Sequence, residues 1–152
     1  MSKEKFSLIG FQQFQTKLKR LDQEVRIKAT RAALRRTAGI VVKAAKQNAL
    51  TVDDKKTGRR IADNIRLQYG TKVFNQTGKH LYRIGVNTRW KNIVRGNKDE
   101  GVGGNTPHWH LVEFGTRRSR EKQFMRPALR NNINNVLNRL ARELNKEINK
   151  LV

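Results

Sequence analysis

The sequence predicts an α+β fold: a long N-terminal helix and a C-terminal helix packed on a small antiparallel sheet, with a long mobile loop. Near both ends of the chain, apolar residues recur every three to four positions, which is the spacing of one helix face. Between these segments, apolar and polar residues alternate over short stretches, as they do in half-buried strands. The chain has 152 residues, enough for a single domain over 1–152 that buries a core.

The N-terminal helix is predicted over about 11–50, and Asp22 marks a place where it can break. Phe11, Phe14 and Leu18 begin its apolar face because they lie three and four positions apart. Alanines continue this face along the rest of the helix, and their small side chains let another backbone approach closely. We therefore expect this helix to pack tightly on its neighbours.

The opposite face of this helix is basic. It includes Arg31, Arg35 and Arg36, and its only acids are Asp22 and Glu24. A basic amphipathic helix is typical of three settings: phosphate binding, a membrane surface, or a solvated outer face. The near absence of acids disfavours a face that is merely solvated.

A small antiparallel sheet is predicted over about 65–87. Apolar and polar residues alternate over 65–69, which indicates a first strand. A second candidate strand is predicted to begin at Val73. The glycine-containing segment at 75–79 resembles a hairpin connection, and the return strand is expected over 81–86.

The segment at about 88–106 is polar and rich in glycine. Its glycines have neither the GxGxxG nor the GxxxxGK[ST] spacing of phosphate-binding loops, so no nucleotide or other cofactor is predicted. Loops of this length are usually functional or disordered. We expect a mobile excursion that becomes ordered only against a neighbouring subunit.

The C-terminal helix is predicted over about 126–150. Pro127 is expected to open it, because proline in a first helical turn gives up an N–H that would have no partner. Apolar residues from Leu129 onward recur at helical spacing and predict a core-facing stripe. The many asparagines in this segment are poor helix formers, so tertiary packing must hold the helix together.

The composition is extremely basic: 34 lysines and arginines stand against 12 acids, a formal net charge of +22. Self-repulsion at this charge destabilises an isolated monomer, which favours either an anionic partner, such as nucleic acid, or oligomerisation. The absence of cysteine excludes disulfides, thiol nucleophiles and cysteine-ligated zinc. The N-terminus lacks the apolar core of a secretory signal, and no apolar run approaches the length of a membrane span.

The sequence around His108, His110 and Glu113 is the one constellation that resembles a catalytic site. On a strand the two histidines would share a face and could ligate a metal, whereas on a helix they would point apart. A metal site also needs a third or fourth ligand, and His80 is the only other histidine. We therefore predict no catalytic, cofactor or metal site, and a metal-dependent nuclease is the third-ranked alternative.

Two blocks near the C-terminus carry a family resemblance. Residues 110–116 have the sequence HLVEFGT, and residues 124–129 have the sequence FMRPAL. This pattern resembles the tail-completion, or neck, family of long-tailed double-stranded DNA bacteriophages, which are minor tail components of siphophages. The chain departs from the family pattern at Gln123, where a proline is usual, and this change loosens the end of the intervening loop.

The resemblance implies a structural virion protein rather than an enzyme. Its place would be the virion tail or neck, after assembly in the host cytoplasm. It would form a homo-oligomeric ring at the head–tail junction, around the DNA channel, and help complete the tail or join it to the head. Its expected partners are other copies of itself, the head–tail connector, tail terminator or tail tube proteins, and the double-stranded DNA in the channel. The alternative function is a free, basic nucleic-acid-binding protein.

The resemblance also assigns an assembly motif, whose residues are Glu113, Phe114, Gly115, Thr116, Phe124, Arg126 and Pro127. Glu113 lies between apolar residues, and a buried carboxylate needs a partner. Arg126 is the natural one, so we predict that a Glu113–Arg126 pair locks 108–115 against the last helix. Phe114 and Phe124 are expected to be core residues.

The candidate contacts to DNA, or to acids of a neighbouring subunit, are arginines. Three lie on the loop between the two blocks and three on the first helix: Arg117, Arg118, Arg120, Arg31, Arg35 and Arg36. Their spacing does not distinguish between these two kinds of partner.

Overall fold

The structure, a computed structural model, describes residues 15–16, 19, 22–53, 55–56, 58–88 and 104–150. Within residues 22–150 of this described part, six helices and two strands lie in the order α1 (Gln23–Leu50), α2 (Ile61–Asn64), β1 (Ile65–Tyr69), α3 (Thr71–Thr77), β2 (Tyr82–Val86), α4 (Trp109–Phe114), α5 (Met125–Arg130) and α6 (Ile133–Asn149). The predicted α+β class is confirmed, with more helix than strand in the described part of the chain. The predicted mobile loop lies mostly outside the described residues, as do Phe11, Phe14 and Leu18.

Helix α1 begins at Gln23, directly after Asp22, whose ψ of 147° is not helical. Its buried residues recur every four positions, and small side chains dominate them: Ala29, Ala33, Thr37, Val41, Ala45 and Ala49. A row of this spacing winds around the helix because a turn needs only about 3.6 residues. The N-terminal part of α1 therefore faces α6 and the end of the sheet at Tyr69 and Tyr82. Its C-terminal part faces α2, the other end of the sheet and α5.

The core lies at the C-terminal end of α1. Val41, Ala45 and Ala49 pack there against Ile61, Ala62 and Ile65 from the α2–β1 corner, against Phe124, which directly precedes α5, and against Ala128 of α5. The small alanines of α1 leave room for the large side chain of Phe124, which is fully buried. The core residue predicted at Phe124 is thus confirmed.

The sheet has two antiparallel strands, with Ile65 opposite Val86 and Tyr69 opposite Tyr82. The prediction of a strand beginning at Val73, followed by a hairpin at 75–79, is wrong. Val73 lies in helix α3, which Gly78 ends in the left-handed conformation with a φ of 68°.

Three local contacts favour a helix in this segment. The Phe74 N–H donates to the Gly70 carbonyl at 3.0 Å, and the Gly78 N–H donates to the Phe74 carbonyl at 2.7 Å. The ring of Phe74 stacks on His80 at a centroid distance of 4.8 Å. A strand conformation would carry this ring away from His80 and leave the glycine without its helix-ending role.

The C-terminal segment forms two helices rather than one over 126–150. Asn132 lies between them with a φ of −113° and a ψ of 6°, and its side-chain amide donates to the Ala128 carbonyl at 2.9 Å. This bond satisfies a carbonyl at the end of α5, as asparagine commonly does at helix termini. Pro127 does not open α5 but is its third residue, still within the first turn, where a missing N–H costs nothing.

The core-facing stripe predicted on the C-terminal segment is only partly correct. Ile148 is buried, and Val136, Leu140 and Leu144 are half-buried. Two members of the stripe, Leu129 and Ile133, are exposed instead, and of the alternatives Val136 and Leu137 it is Val136 that faces the core. The break at Asn132 redirects the chain, so a stripe that is continuous in sequence is not continuous in space.

Candidate functional site

Glu113 is the one buried residue of α4, and only 1% of its surface is exposed. One carboxylate oxygen accepts hydrogen bonds from the backbone N–H groups of Phe124, at 2.7 Å, and Met125, at 3.0 Å. The other accepts from the backbone N–H of Arg126 at 3.1 Å and from its Nε at 3.2 Å. The carboxylate therefore caps the start of α5, where backbone N–H groups have no partner within the helix.

The hydrogen bonds set the charge state of this group. Burial by itself would raise the pKa of the Glu113 carboxyl, but the donors from Met125, Phe124 and Arg126 outweigh it and hold the pKa below its ordinary value. Glu113 is therefore ionised at neutral pH, as a carboxylate with four donors should be.

Arg126 stabilises, from its exposed side, the corner formed by α4, the loop at 115–124 and the start of α5. Besides its bonds to the Glu113 carboxylate, its guanidinium donates to the Glu113 carbonyl at 2.9 Å and to the Glu121 carboxylate at 3.3 Å. The contact predicted between Glu113 and Arg126 is thus present. The guanidinium also lies 4.9 Å from the ring centre of Phe114, a distance at which a cation attracts an aromatic face.

The prediction that Phe114 is a core residue is wrong, since it is 61% exposed. On a helix of six residues, only one side can face the core. Glu113 takes that side because its carboxylate must reach the amides of α5. Phe114, the next residue, then points outward, where the guanidinium of Arg126 covers one face of its ring.

Gly115 is required where the chain leaves α4. Its φ is 76° and its ψ is 177°, a conformation that is nearly exclusive to glycine. A Cβ at this position would lie 2.8 Å from the backbone nitrogen of Glu121. The turn therefore depends on glycine both for its dihedral angles and for its space.

Thr116 shapes the basic loop that follows. Its N–H donates to the Ser119 carbonyl at 2.8 Å, and its hydroxyl accepts from the N–H groups of Arg118 and Ser119 at 3.2 and 3.0 Å. The loop is closed by a bond from the Lys122 N–H to the Val112 carbonyl at 2.8 Å. It is therefore a hydrogen-bonded turn.

Arg117, Arg118 and Arg120 are all exposed on this turn. Phe124 anchors the other side of the corner, because its carbonyl accepts a 3.1 Å bond from the side-chain amide of Asn48 in α1. The corner thus connects three exposed cations to the core.

The three candidate arginines of α1 do not share one environment. Arg36 is tied to Glu143 at 3.2 Å and to Glu147 of α6. Arg31 lies over the ring of Tyr69 at 4.1 Å. Arg35 is exposed.

These α1 positions are also remote from the loop arginines. Asn48, which contacts the corner, is 12 residues beyond Arg36 in the same helix. At about 1.5 Å per residue this is a separation of roughly 18 Å along the helix axis. The structure therefore does not bring the two predicted sets of arginines together as one patch.

His108 and His110 do not adopt the strand arrangement in which both could ligate one metal. His108 immediately precedes α4 and His110 lies on it, so they follow a helix rather than a strand. His110 is exposed, whereas Glu113 points inward to the amides of α5. Among the described residues, no three metal-ligating side chains come together.

Sequence reasoning found the ion pair but missed the larger part of the site. Glu113 accepts hydrogen bonds from three backbone N–H groups, and the sequence cannot indicate these donors because nearly every residue type has one. It also missed the pairing of Arg36 with Glu143 and Glu147. Here a signal existed, because two acids four positions apart interrupt the apolar pattern of the C-terminal segment.

Comparison with known proteins gives the family. A family model described as "Bacteriophage HK97-gp10, putative tail-component" matches residues 12–115, which is well over half of the chain. The match includes Glu113 and Gly115 but ends before the second block at 124–129. No curated protein and no solved structure matches the chain. Among the described helices, none is long and apolar enough to cross a membrane. The chain belongs to the HK97-gp10-like family of bacteriophage tail components.

Proposed function

We propose that the protein forms a homo-oligomeric ring around the DNA channel at the head–tail junction of a long-tailed phage. There it completes the tail or joins it to the head, as a neck component without enzymatic activity. The observation that carries this proposal is the corner built on Glu113, found in a member of a phage tail-component family. It fixes a basic loop firmly to the core without forming a catalytic constellation.

The corner is suited to assembly because it holds its cations at a defined position. The turn made by Thr116 and the cap made by Glu113 fix both ends of the loop 117–120. Arginines on a fixed loop lose less conformational freedom on binding than arginines on a flexible segment. They are able to form bidentate bonds to phosphates of the channel DNA or to carboxylates of a neighbouring subunit.

The net charge makes partners necessary. At +22, identical subunits repel one another in a ring unless anions lie between or beside them. Double-stranded DNA in the channel supplies such anions, and so do acidic surfaces of a head–tail connector, tail terminator or tail tube protein. We therefore place the protein in the virion tail or neck, after assembly in the host cytoplasm.

Sedimentation velocity over a series of protein concentrations tests the proposal. The expected result is a discrete closed oligomer that replaces the monomer as concentration rises and is seen as rings by electron microscopy. A protein that stays monomeric at all concentrations, with and without duplex DNA, contradicts it. Labelling this protein in assembled particles then tests its position at the neck.

The second candidate function is that of a free nucleic-acid-binding protein, which the exposed cations at Arg35 and at 117–120 favour. This function predicts a monomer that binds duplex DNA with a steep dependence on salt. Replacing Arg117, Arg118 and Arg120 with alanine would lower the salt slope by up to about three, one for each lost phosphate contact. Tight binding of duplex DNA by a protein that stays monomeric would favour this function over the ring.

A further inference from the structure

One half of the circumference of α6 carries no charge. At about 100° per residue, all charged residues of this helix fall on the other half: Arg139, Arg142, Glu143, Lys146 and Glu147. Glu143 and Glu147 face α1, where they pair with Arg36. The uncharged half comprises a buried edge against α1 and an exposed strip, which we call the neutral face: Asn134, Leu137, Asn138, Ala141, Asn145 and Asn149.

The neutral face contains most of the asparagines of α6. Four of the five asparagines in this helix lie on it, and all four are exposed. Asparagine is a poor helix former, and an exposed helix position is normally better filled by lysine, glutamate or alanine. Neither helix stability nor packing against the described residues accounts for asparagine there, since these side chains are exposed.

The charge of the chain indicates what can cover this face. A second copy also carries a net charge of +22, so most contacts between copies bring like charges together. The neutral face avoids this repulsion along the length of α6. An acidic partner or DNA would instead gain most from the basic surfaces and nothing from a face without cations.

The chemistry of the neutral face also suits self-association. Each asparagine amide offers both a donor and an acceptor, so it can pair with backbone groups or amides of an identical chain without a complementary charge. Leu137, which is 41% exposed, and Ala141 add apolar surface between the amides. Asparagine at helix–helix contacts is also known to fix register.

We propose that the neutral face of α6 is the surface through which one copy of this chain contacts a second copy. The inference rests on the proposed ring and names one side of its subunit contact. Ile133, the first residue of α6, is 49% exposed on the uncharged half and adds apolar surface at that end of the helix.

A pair of variants on the same helix tests the proposal. Asn138→Lys places a cation in the neutral face, whereas Asn135→Lys makes the same substitution on the half that already carries charge; both positions are exposed. Sedimentation velocity should show association weakened at least tenfold for Asn138→Lys and changed less than twofold for Asn135→Lys. Circular dichroism should show both variants as helical as the wild type, because lysine is a better helix former than asparagine.

Ala141→Lys provides a second substitution within the face and should weaken association in the same way. If the wild type assembles but the Asn138 and Asn135 variants assemble equally well, the neutral face is not the contact, while the ring itself stands. If the wild type never assembles, both the ring and the contact are overturned.

Discussion

The backbone N–H of Phe124 donates a 2.7 Å hydrogen bond to the Glu113 carboxylate and so joins the start of α5 to the end of α4. Replacing Glu113 with glutamine keeps the shape of the side chain but turns one acceptor oxygen into a donor, which leaves buried N–H groups without a partner. We expect Glu113→Gln to lower the free energy of unfolding by about 2–3 kcal/mol and the melting temperature by about 5–10 °C. Thermal unfolding followed by circular dichroism measures both.

Glu121→Gln is the matched control for this prediction. Glu121 also contacts Arg126, at 3.3 Å, but it is exposed. An exposed ion pair contributes little, so this variant should unfold within about 0.5 kcal/mol of the wild type. Equal stability of the two glutamine variants would show that Glu113 does not hold the corner.

The pH dependence of stability should also report on Glu113. Its pKa is held below the ordinary value of 4.5 in the folded protein. The carboxylate therefore stabilises the fold above pH 4.5, and this contribution disappears as the pH falls through the folded pKa. Between neutral pH and about pH 3, urea unfolding should show a steeper loss of stability for the wild type than for Glu113→Gln. Parallel curves would contradict the assignment.

Two glycines of this chain should respond oppositely to the same substitution. Gly115→Ala forces a Cβ into a position 2.8 Å from the Glu121 nitrogen at a φ of 76°, and we expect a loss of about 3 kcal/mol. Gly39→Ala, within α1, has no atom within 4 Å of the new Cβ and should stabilise the protein by about 0.5–1 kcal/mol. Chemical denaturation of both variants checks the signs, and a neutral Gly115→Ala would mean that the turn is not constrained.

Replacing each of two neighbouring arginines of α1 with alanine should show whether stability depends on an ion pair or only on the loss of a surface charge. Arg36 pairs with Glu143, whose side chain is buried, and with Glu147, so Arg36→Ala leaves acids of α6 less well compensated. Arg35→Ala removes an exposed cation of the same kind. Differential scanning calorimetry should give a lower melting temperature for Arg36→Ala than for Arg35→Ala. The reverse order would show that the α1–α6 contact does not depend on this ion pair.

The regular periodicities of the sequence predicted the fold class because they reflect burial directly. Phe124 was predicted as core from its place in the motif, beside the Glu113–Arg126 pair, and it is fully buried. The prediction for Phe114 was wrong because its neighbour Glu113 occupies the inward position, where its carboxylate reaches the amides of α5. Hydrophobicity patterns do not indicate such a contact. The prediction of a strand at Val73 was wrong because β-branched residues favour strands only when the surrounding chain is extended. Here the bond between Gly70 and Phe74 begins a helix instead.

The candidate site was predictable only in its side-chain part. A carboxylate among apolar residues needs a partner, and this requirement led to the prediction that Glu113 pairs with Arg126. The backbone amides at the start of α5 reach the Glu113 carboxylate only because the chain turns at Gly115. A glycine in the sequence permits this backbone conformation but does not show that it is adopted. Similarly, the break before Ile133 depends on the hydrogen bond from Asn132 to Ala128, and asparagine forms such bonds only in some contexts.

The acids of the described chain are engaged mainly with their own subunit, as shown by Glu113, Glu143 and Glu147. These three acids contribute little to the surface of the described chain, where exposed lysines and arginines predominate. Protein extracted from cells should carry host RNA and DNA through purification unless washed at high salt, and its ultraviolet spectrum would reveal the contamination. During infection the same competition would exist: productive docking must outcompete ribosomes, transcripts and chromosomal DNA for every newly made copy.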